Sequence, residues 1–310
     1  LGGFPLWVSM AAATLAFLYL GGFPMTMLPQ KMAGAMNSFP IVAAPLFILM
    51  GNILGAAKIT DHIVDFASAV IGWVRGGYAH ASVLSSIIFA GMVGSAVADA
   101  AGSSAIEIRA MKKAGYKPET AASISAAAAT IGPIIPPSLP MVIYGVSADV
   151  SIGRLFMGGV IPGLLLAFML GLCTWYVARK NNYPTLPRTS WGDRIKHFRK
   201  AFWGLMLIVV VMGGIYSGMF TPTEAAAMSA VYAFFIAVFV YKDLSFKQIP
   251  RVLLDSANMS AMLLFIIASA VLFSFILTSE QIPQRMADAI VASGMGPIGF
   301  LIVVNILLLV

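Results

Sequence analysis

The sequence predicts an all-α polytopic membrane protein that contains a re-entrant helical hairpin and a discontinuous helix. Three observations predict it. Of the 310 residues, 60% are hydrophobic and 10% charged, and the mean hydropathy is +0.92, whereas an ordinary soluble domain is about 25% charged. The charges are clustered, so long windows reach the roughly 20 apolar residues that a spanning helix needs. Two otherwise membrane-compatible stretches are interrupted, one at Gly94–Asp99 with Gly102, Ser103 and Ser104, the other from Thr130 to Pro140.

Residues 5–20 form a first span, and residues 21–38 a loop rich in Gly, Met and Pro that carries only Lys31. A second span, 39–57, ends at Lys58. Residues 60–74 place Ile63, Phe66, Ala67, Val70 and Ile71 on one face and Asp61, His62 and Asp65 elsewhere. That pattern predicts an amphipathic interfacial helix, with Thr60 as its N-cap. In 78–112 the arms 80–93 and 100–111 would be about 21 and 18 Å long at 1.5 Å per residue. Neither crosses about 30 Å of hydrocarbon, so a hairpin with its tip at Gly94–Asp99 fits better. Residues 119–150 form a span broken at Gly132–Pro140, because Pro removes a donor and clashes with the preceding turn. Then come a plain span (155–178), a basic surface loop (179–200), spans at 201–218 and 223–241, an apolar stretch (252–277) and an amphipathic segment (279–293). Glu224 and Thr221 have capping-box spacing.

Positive-inside counting supports the hairpin. With a cytoplasmic N-terminus, 16 of the 19 basic residues fall inside, among them Lys58, Arg75, Arg109 and the seven of 179–200, which leaves Lys31, Arg154 and Arg285 outside. A full crossing at 78–112 would put the 179–200 loop and its predecessor on opposite sides. Stretches 45–72 and 262–294 share an apolar span, a polar step and an amphipathic segment ending at Gly. Their spans run oppositely in this topology, which suggests an inverted repeat. The first residue is Leu and the last stretch stops inside an apolar run, so a piece of a longer protein is expected.

The net charge of +7 is explained by topology and contact with anionic lipid, not by nucleic acid. The single cysteine, Cys173, excludes an internal disulfide and a Cys-based metal site; it is expected to be buried and inert. His62, His80 and His197 are expected at surfaces, so no metal site is indicated. Glu107 and Arg109 read as a charge pair near the cytoplasmic exit, with snorkelling side chains around them. Arg154 reads as a loop charge, with guidance of an anion as the alternative.

The stretches GSAVADA (94–100), AMKKAGY (110–116), AAAATIGPIIPPSLPMVIYG (126–145) and GGVIPGLLLA (158–167) resemble the large membrane subunit of TRAP transporters, the tripartite ATP-independent periplasmic transporters of bacteria and archaea. The resemblance covers essentially the whole chain, truncated at both ends. It implies a multi-pass protein of the cytoplasmic (inner) membrane with an inverted-repeat, elevator-type architecture. It further implies a second hairpin and a second broken helix beyond residue 310, without which the fragment alone would be inactive. Uptake would be driven by sodium, with no cofactor beyond that coupling ion, and fed by a periplasmic substrate-binding protein. A small four-helix membrane subunit would be the partner, and C4-dicarboxylates, keto acids or sugar acids such as sialate the cargo. In this frame 1–77 and 201–251 are scaffold-like, 78–178 transport-like, 179–200 a cytoplasmic loop and 252–310 the start of a second repeat.

Sodium is held by several oxygens, and a helix break supplies backbone carbonyls and small hydroxyls. Gly94, Ser95, Thr130, Gly132 and Pro133 are the candidate cation ligands. Half-helix N-termini after the hairpin tip and after Pro137–Ser138, with unsatisfied N–H groups, would suit a substrate carboxylate; Ser103, Ser104 and Ser138 would add hydroxyls. The competing role of each serine is helix packing. Asp99, the only carboxylate expected near mid-bilayer, is either a functional acid or the N-cap of the second arm, the cap being slightly favoured. Rival readings are a stand-alone sodium–dicarboxylate symporter, an intramembrane serine protease and a passive channel. The protease needs a histidine near its serine, and none is placed there.

Overall fold

The computed structural model describes residues 6–57 and 59–309, so Lys58 and the first residue of the 5–20 span lie outside the described residues. The described residues within 1–37 and 261–310 form one compact unit, and those within 38–260 another. Five helical stretches among them are long and apolar enough to cross a membrane: Phe39–Ala56, Ile152–Lys180, Trp191–Tyr216, Pro222–Val240 and Ile249–Ser279.

The first unit holds α1 (Leu6–Leu20), α2 (Met27–Met36) and, from residue 261, the end of a long helix followed by two shorter ones. Where a loop was expected over 21–38, ten residues coil into α2. Its Met and Ala residues are good helix formers, which the Gly and Pro content masked. Trp7 packs on Phe265 and Phe17 on Phe23, with ring centroids 5.6 and 5.8 Å apart.

In the second unit a 3₁₀ turn (Phe39–Val42) leads into α3 (Ala43–Ala56), and α4 (Ile59–Ile71) follows. Thr60 lies inside α4 instead of capping it. Ile63 and Ala67 are buried as the pattern required, while Val70 is exposed and Ala69 is buried in its place. The hairpin comprises α5 (Gly77–Val93), α6 (Ala96–Gly102) and α7 (Ser104–Lys113), so its second arm is two helices that meet at Ser103. The broken span comprises α8 (Pro118–Ala129) and α9 (Leu139–Ser147). Pro140 belongs to the first turn of α9, where its missing N–H costs nothing.

Helix α10 (Ile152–Lys180) runs 29 residues with Pro162 inside. Cys173 on it is exposed, not buried; its neighbours Leu172, Trp175 and Tyr176 are exposed too, as on a lipid-facing surface. Half of the expected 179–200 loop is also helix. Ser190 caps α11 (Trp191–Ile208) by accepting from Asp193 N–H at 3.2 Å. A π-helical turn (Val209–Gly213) joins α11 to α12 (Gly214–Tyr216). The expected capping box is present, and Thr221 and Glu224 begin α13 (Pro222–Phe235) with reciprocal bonds. Helix α13 lies along α3, and Ala225, Ala226, Ala230 and Ala233 of α13 and Ala43 and Ala44 of α3 are buried, small side chains of the kind that let membrane helices approach closely. The chain closes with α14 (Ile249–Ser279), α15 (Ile282–Ala292) and α16 (Pro297–Leu309).

Candidate functional site

Helix α5 ends because Gly94 adopts the left-handed conformation, φ 61° and ψ 22°, which glycine enters without steric cost. Ser95 is then extended and caps α6, its hydroxyl accepting from Ala98 N–H at 3.3 Å. The cap of the second arm is therefore Ser95 and not Asp99, which sits inside α6. Helix α8 stops at Ala129, and the chain turns through 130–137 until Ser138 caps α9 by accepting from Met141 N–H at 3.3 Å. The Ser138 hydroxyl also donates to the Pro133 carbonyl at 2.5 Å, bridging the break.

The two breaks meet directly. Leu139 N–H donates to the Gly94 carbonyl at 3.2 Å. A Cβ at Gly94 would collide with the Pro137 carbonyl oxygen, and one at Gly132 would stand 3.2 Å from the Ser95 carbonyl carbon and 3.3 Å from Ala96 N. Only hydrogen atoms on the two glycines allow backbone to approach backbone here. Gly94, Ser95, Gly132, Pro133, Pro137 and Ser138 thus share one locus. Thr130 is exposed and turns its hydroxyl to Ala127 O at 2.7 Å. The N–H groups at the start of α9 are not free as expected: Leu139 donates to Gly94, Pro140 has none, and Met141 donates to Ser138. What remains there for an anion is the helix dipole.

Asp99 and Ser103 form a second locus, next to Ser86 of α5. Asp99 is 3% exposed; its Oδ1 accepts from the Ser103 hydroxyl at 2.6 Å, and its Oδ2 has no hydrogen-bond partner. Ser104 is buried. Glu107, expected as a surface partner of Arg109, is 3% exposed and accepts from Ser82 Oγ and, at 2.5 Å, from Ser85 Oγ, both on α5. Residues two apart on a helix do not face each other, so a Glu107–Arg109 pair was geometrically excluded. The signal that could have found Glu107 is spacing. Asp99, Ser103 and Glu107 recur every four residues, and Ser82, Ser85 and Ser86 share a face of α5. His80, expected at a surface, is 8% exposed, with no partner at Nε2. Among the described residues no group of three His, Cys, Asp or Glu is placed to hold a metal.

Arg154 begins α10 beside the break. It lines a cavity of about 670 Å³ with Ile134, Met141, Asp149, Ser151 and Gly159. A Cβ at Gly159 would strike the Ile134 carbonyl, and one at Gly163 the Ile135 side chain, so the glycines of α10 seat the break against that helix.

The family model for the DctM component of the tripartite ATP-independent periplasmic transporter matches residues 1–310. The chain is 45% identical to the C4-dicarboxylate TRAP transporter large permease protein DctM of Rhodobacter capsulatus, over 100% of the chain and 74% of that protein. It is 38% identical to the sialic acid TRAP transporter large permease protein SiaM of Vibrio cholerae, over 99% of the chain and 72% of the relative. With the 2,3-diketo-L-gulonate TRAP transporter large permease protein YiaN of Escherichia coli, identity is 34% over 92% of the chain and 68% of the relative.

Proposed function

Since the chain belongs to the DctM-component family, the large permeases of TRAP transporters, we propose that it performs sodium-coupled secondary uptake of a small organic acid. It is a multi-pass inner-membrane transporter subunit and not an enzyme. The acid would be a C4-dicarboxylate, keto acid or sugar acid. These cargoes follow the relatives, whose names specify C4-dicarboxylate, sialic acid and 2,3-diketo-L-gulonate. A periplasmic binding protein would deliver it, and a small membrane subunit would complete the permease. The transport step would be an elevator motion of the hairpin and broken helix, as one half of an inverted repeat.

The observation that carries this reading is the backbone contact between the hairpin tip and the helix break, through Gly94, Pro137 and Leu139. A spanning helix sacrifices backbone hydrogen bonds in a bilayer only where the freed groups are buried or face a polar site, and paired breaks are where transporters hold ions. Backbone carbonyls and small hydroxyls of Gly94, Ser95, Thr130, Gly132 and Pro133 are the proposed sodium ligands. Ser138 and the dipole of α9 are proposed to orient the carboxylate, with Pro137 beside them; Asp99, Ser103 and Ser104, at the second locus, are the further proposed substrate-binding residues.

The test is the melting temperature of the purified protein in detergent across sodium and potassium titrations at matched ionic strength. A ligand at 100 times its dissociation constant stabilises by about 2.7 kcal/mol. A saturable rise with sodium alone, weakened by Ser95→Ala and by Gly132→Ala, supports the reading. Equal responses to both cations, or none, reject sodium coupling. Uptake into proteoliposomes with and without the binding protein then tests delivery.

A further inference from the structure

Two serine hydroxyls in the hairpin each face two acceptors. Ser85 Oγ lies 2.9 Å from the Ser82 carbonyl and 2.5 Å from Glu107 Oε1. Ser103 Oγ lies 3.1 Å from the Asp99 carbonyl and 2.6 Å from Asp99 Oδ1. A hydroxyl has one proton and two lone pairs, so it serves both acceptors only by sharing that proton in a weaker three-centre bond. A proton on the carboxyl gives each contact a proton of its own.

A proton on Glu107 resolves the count. Ser85 then donates to the Ser82 carbonyl and accepts from Glu107 Oε1–H. Ser82 donates to Glu107 Oε2 and can accept from Ser125 Oγ, 3.5 Å away on α8. Every hydroxyl proton is used once. With an ionised Glu107 the 2.5 Å contact keeps an unshared proton only if Ser85 abandons the Ser82 carbonyl. The same alternative stands at Asp99, whose carboxyl faces Ser86 of α5 while Oδ2 lacks any hydrogen-bond partner at 3% exposure.

Charge balance points the same way. An isolated ionised carboxylate is far more costly to bury than a neutral acid, and Asp99 and Glu107 lie close enough to interact. Among the described residues, no lysine or arginine of α3, α5 or α8, which pack against α6 and α7, offsets them. Arg109, Lys112 and Lys113 on α7 are exposed, as is Glu119 on α8, and α3 carries no titratable residue. On α5, Tyr78 lies beside Tyr116 at the hairpin exit, and His80 lines an apolar groove with Leu164, Phe168 and Trp175 of α10.

We infer that Glu107, backed by Asp99, is a proton-binding site within the hairpin, with a bound proton as the ligand in place of a metal cation. The inference goes beyond sodium coupling and does not depend on it. Its location, in the arm behind the tip, would make the hairpin carry a proton as well as help to form the cation site.

The test is infrared spectroscopy of the whole purified protein near neutral pH, without sodium or substrate, comparing wild type with Glu107→Gln and Asp99→Asn. Exposed carboxyls are ionised there, so a carboxylic-acid C=O stretching band reports buried neutral acids. The expected result is such a band in wild type, lost in Glu107→Gln. Superimposable wild-type and Glu107→Gln spectra in that region overturn the proposal. Should Glu107→Gln fail to fold, Ser85→Ala is read instead. Removing the acceptor of the Glu107 proton shifts the band to higher frequency, and an unshifted band overturns it. Neither readout uses the sodium response, so failure of sodium coupling and failure of the proton site are separable.

Discussion

The amide of Leu139 donates to the carbonyl of Gly94 over 3.2 Å, tying the first residue of α9 to the turn that ends α5. A hydrogen bond between two interrupted helices is informative because each interruption frees backbone groups that a bilayer leaves unpaired. Here one break satisfies part of the other, so the hairpin tip and the helix break are coupled through this bond. A movement of either carries the other along or gives up this bond.

Gly94→Ala should break that coupling. Alanine at φ 61° costs about 1–2 kcal/mol, and its Cβ collides with the Pro137 carbonyl oxygen, which cannot yield as a flexible side chain would. The expected outcome is a lower melting temperature and loss of the sodium-dependent shift. Gly102→Ala is the control, since its added Cβ meets nothing within 4 Å. It should leave the melting temperature the same or slightly raised.

Ser138→Ala should destabilise more than Ser95→Ala. Both serines cap a helix, a role worth about 1 kcal/mol. Ser138 is fully buried and its hydroxyl also bridges the break to Pro133 at 2.5 Å, so its removal leaves an acceptor without its donor. Ser95 is half-buried and makes the cap alone. Thermal denaturation of the two variants in detergent orders them. Equal losses would show that the bridge contributes nothing.

Composition made the membrane class legible, and the residues that cannot be helical marked both breaks. Glycine and proline act locally, so Gly94 and the Pro133–Pro137 run declare themselves without tertiary information. The meeting of Gly94 with Pro137 and Leu139 was not legible, because it joins residues some forty positions apart. Asp99 was misassigned as a cap because an acid next to a small-residue turn fits that role, and only the backbone shows Ser95 already filling it. Glu107 was hidden for a different reason. It lies next to Arg109, Lys112 and Lys113, and that cluster reads as a solvated exit until burial on α5 is seen. The helical content of 191–200 was masked by its charge, although Ser190 and Asp193 had cap spacing.

The capping box at α13 should be visible as stability. The Glu224 carboxylate accepts from Thr221 N–H and from the Thr221 hydroxyl, each at 2.8 Å, and the hydroxyl accepts in return from Glu224 N–H at 3.3 Å. Thr221→Ala removes the hydroxyl and leaves the backbone bond, so it should cost about 1 kcal/mol, read as a lower melting temperature in detergent. An unchanged melting temperature would show that the cap contributes nothing.

The hairpin exit should respond to alkali. Tyr116 stacks on Tyr183 with ring centroids 3.9 Å apart and is 3% exposed. Burial pushes its phenol from 10.0 up to about 12, with the neighbouring Tyr183 and Tyr78 adding to the shift. The folded protein therefore holds this proton more tightly than the unfolded chain. That contribution is complete below pH 10 and is lost as pH rises towards about 12, because the unfolded state releases its proton first. The affected contact joins the turn after α7 to the segment after α10, so its loss should loosen the hairpin exit before the helices melt. Tyr116→Phe keeps the ring and removes the ionisation. Its melting temperature should fall less than that of wild type between pH 10 and pH 12, with the two matching near neutrality; identical alkaline profiles would place the titrating group elsewhere.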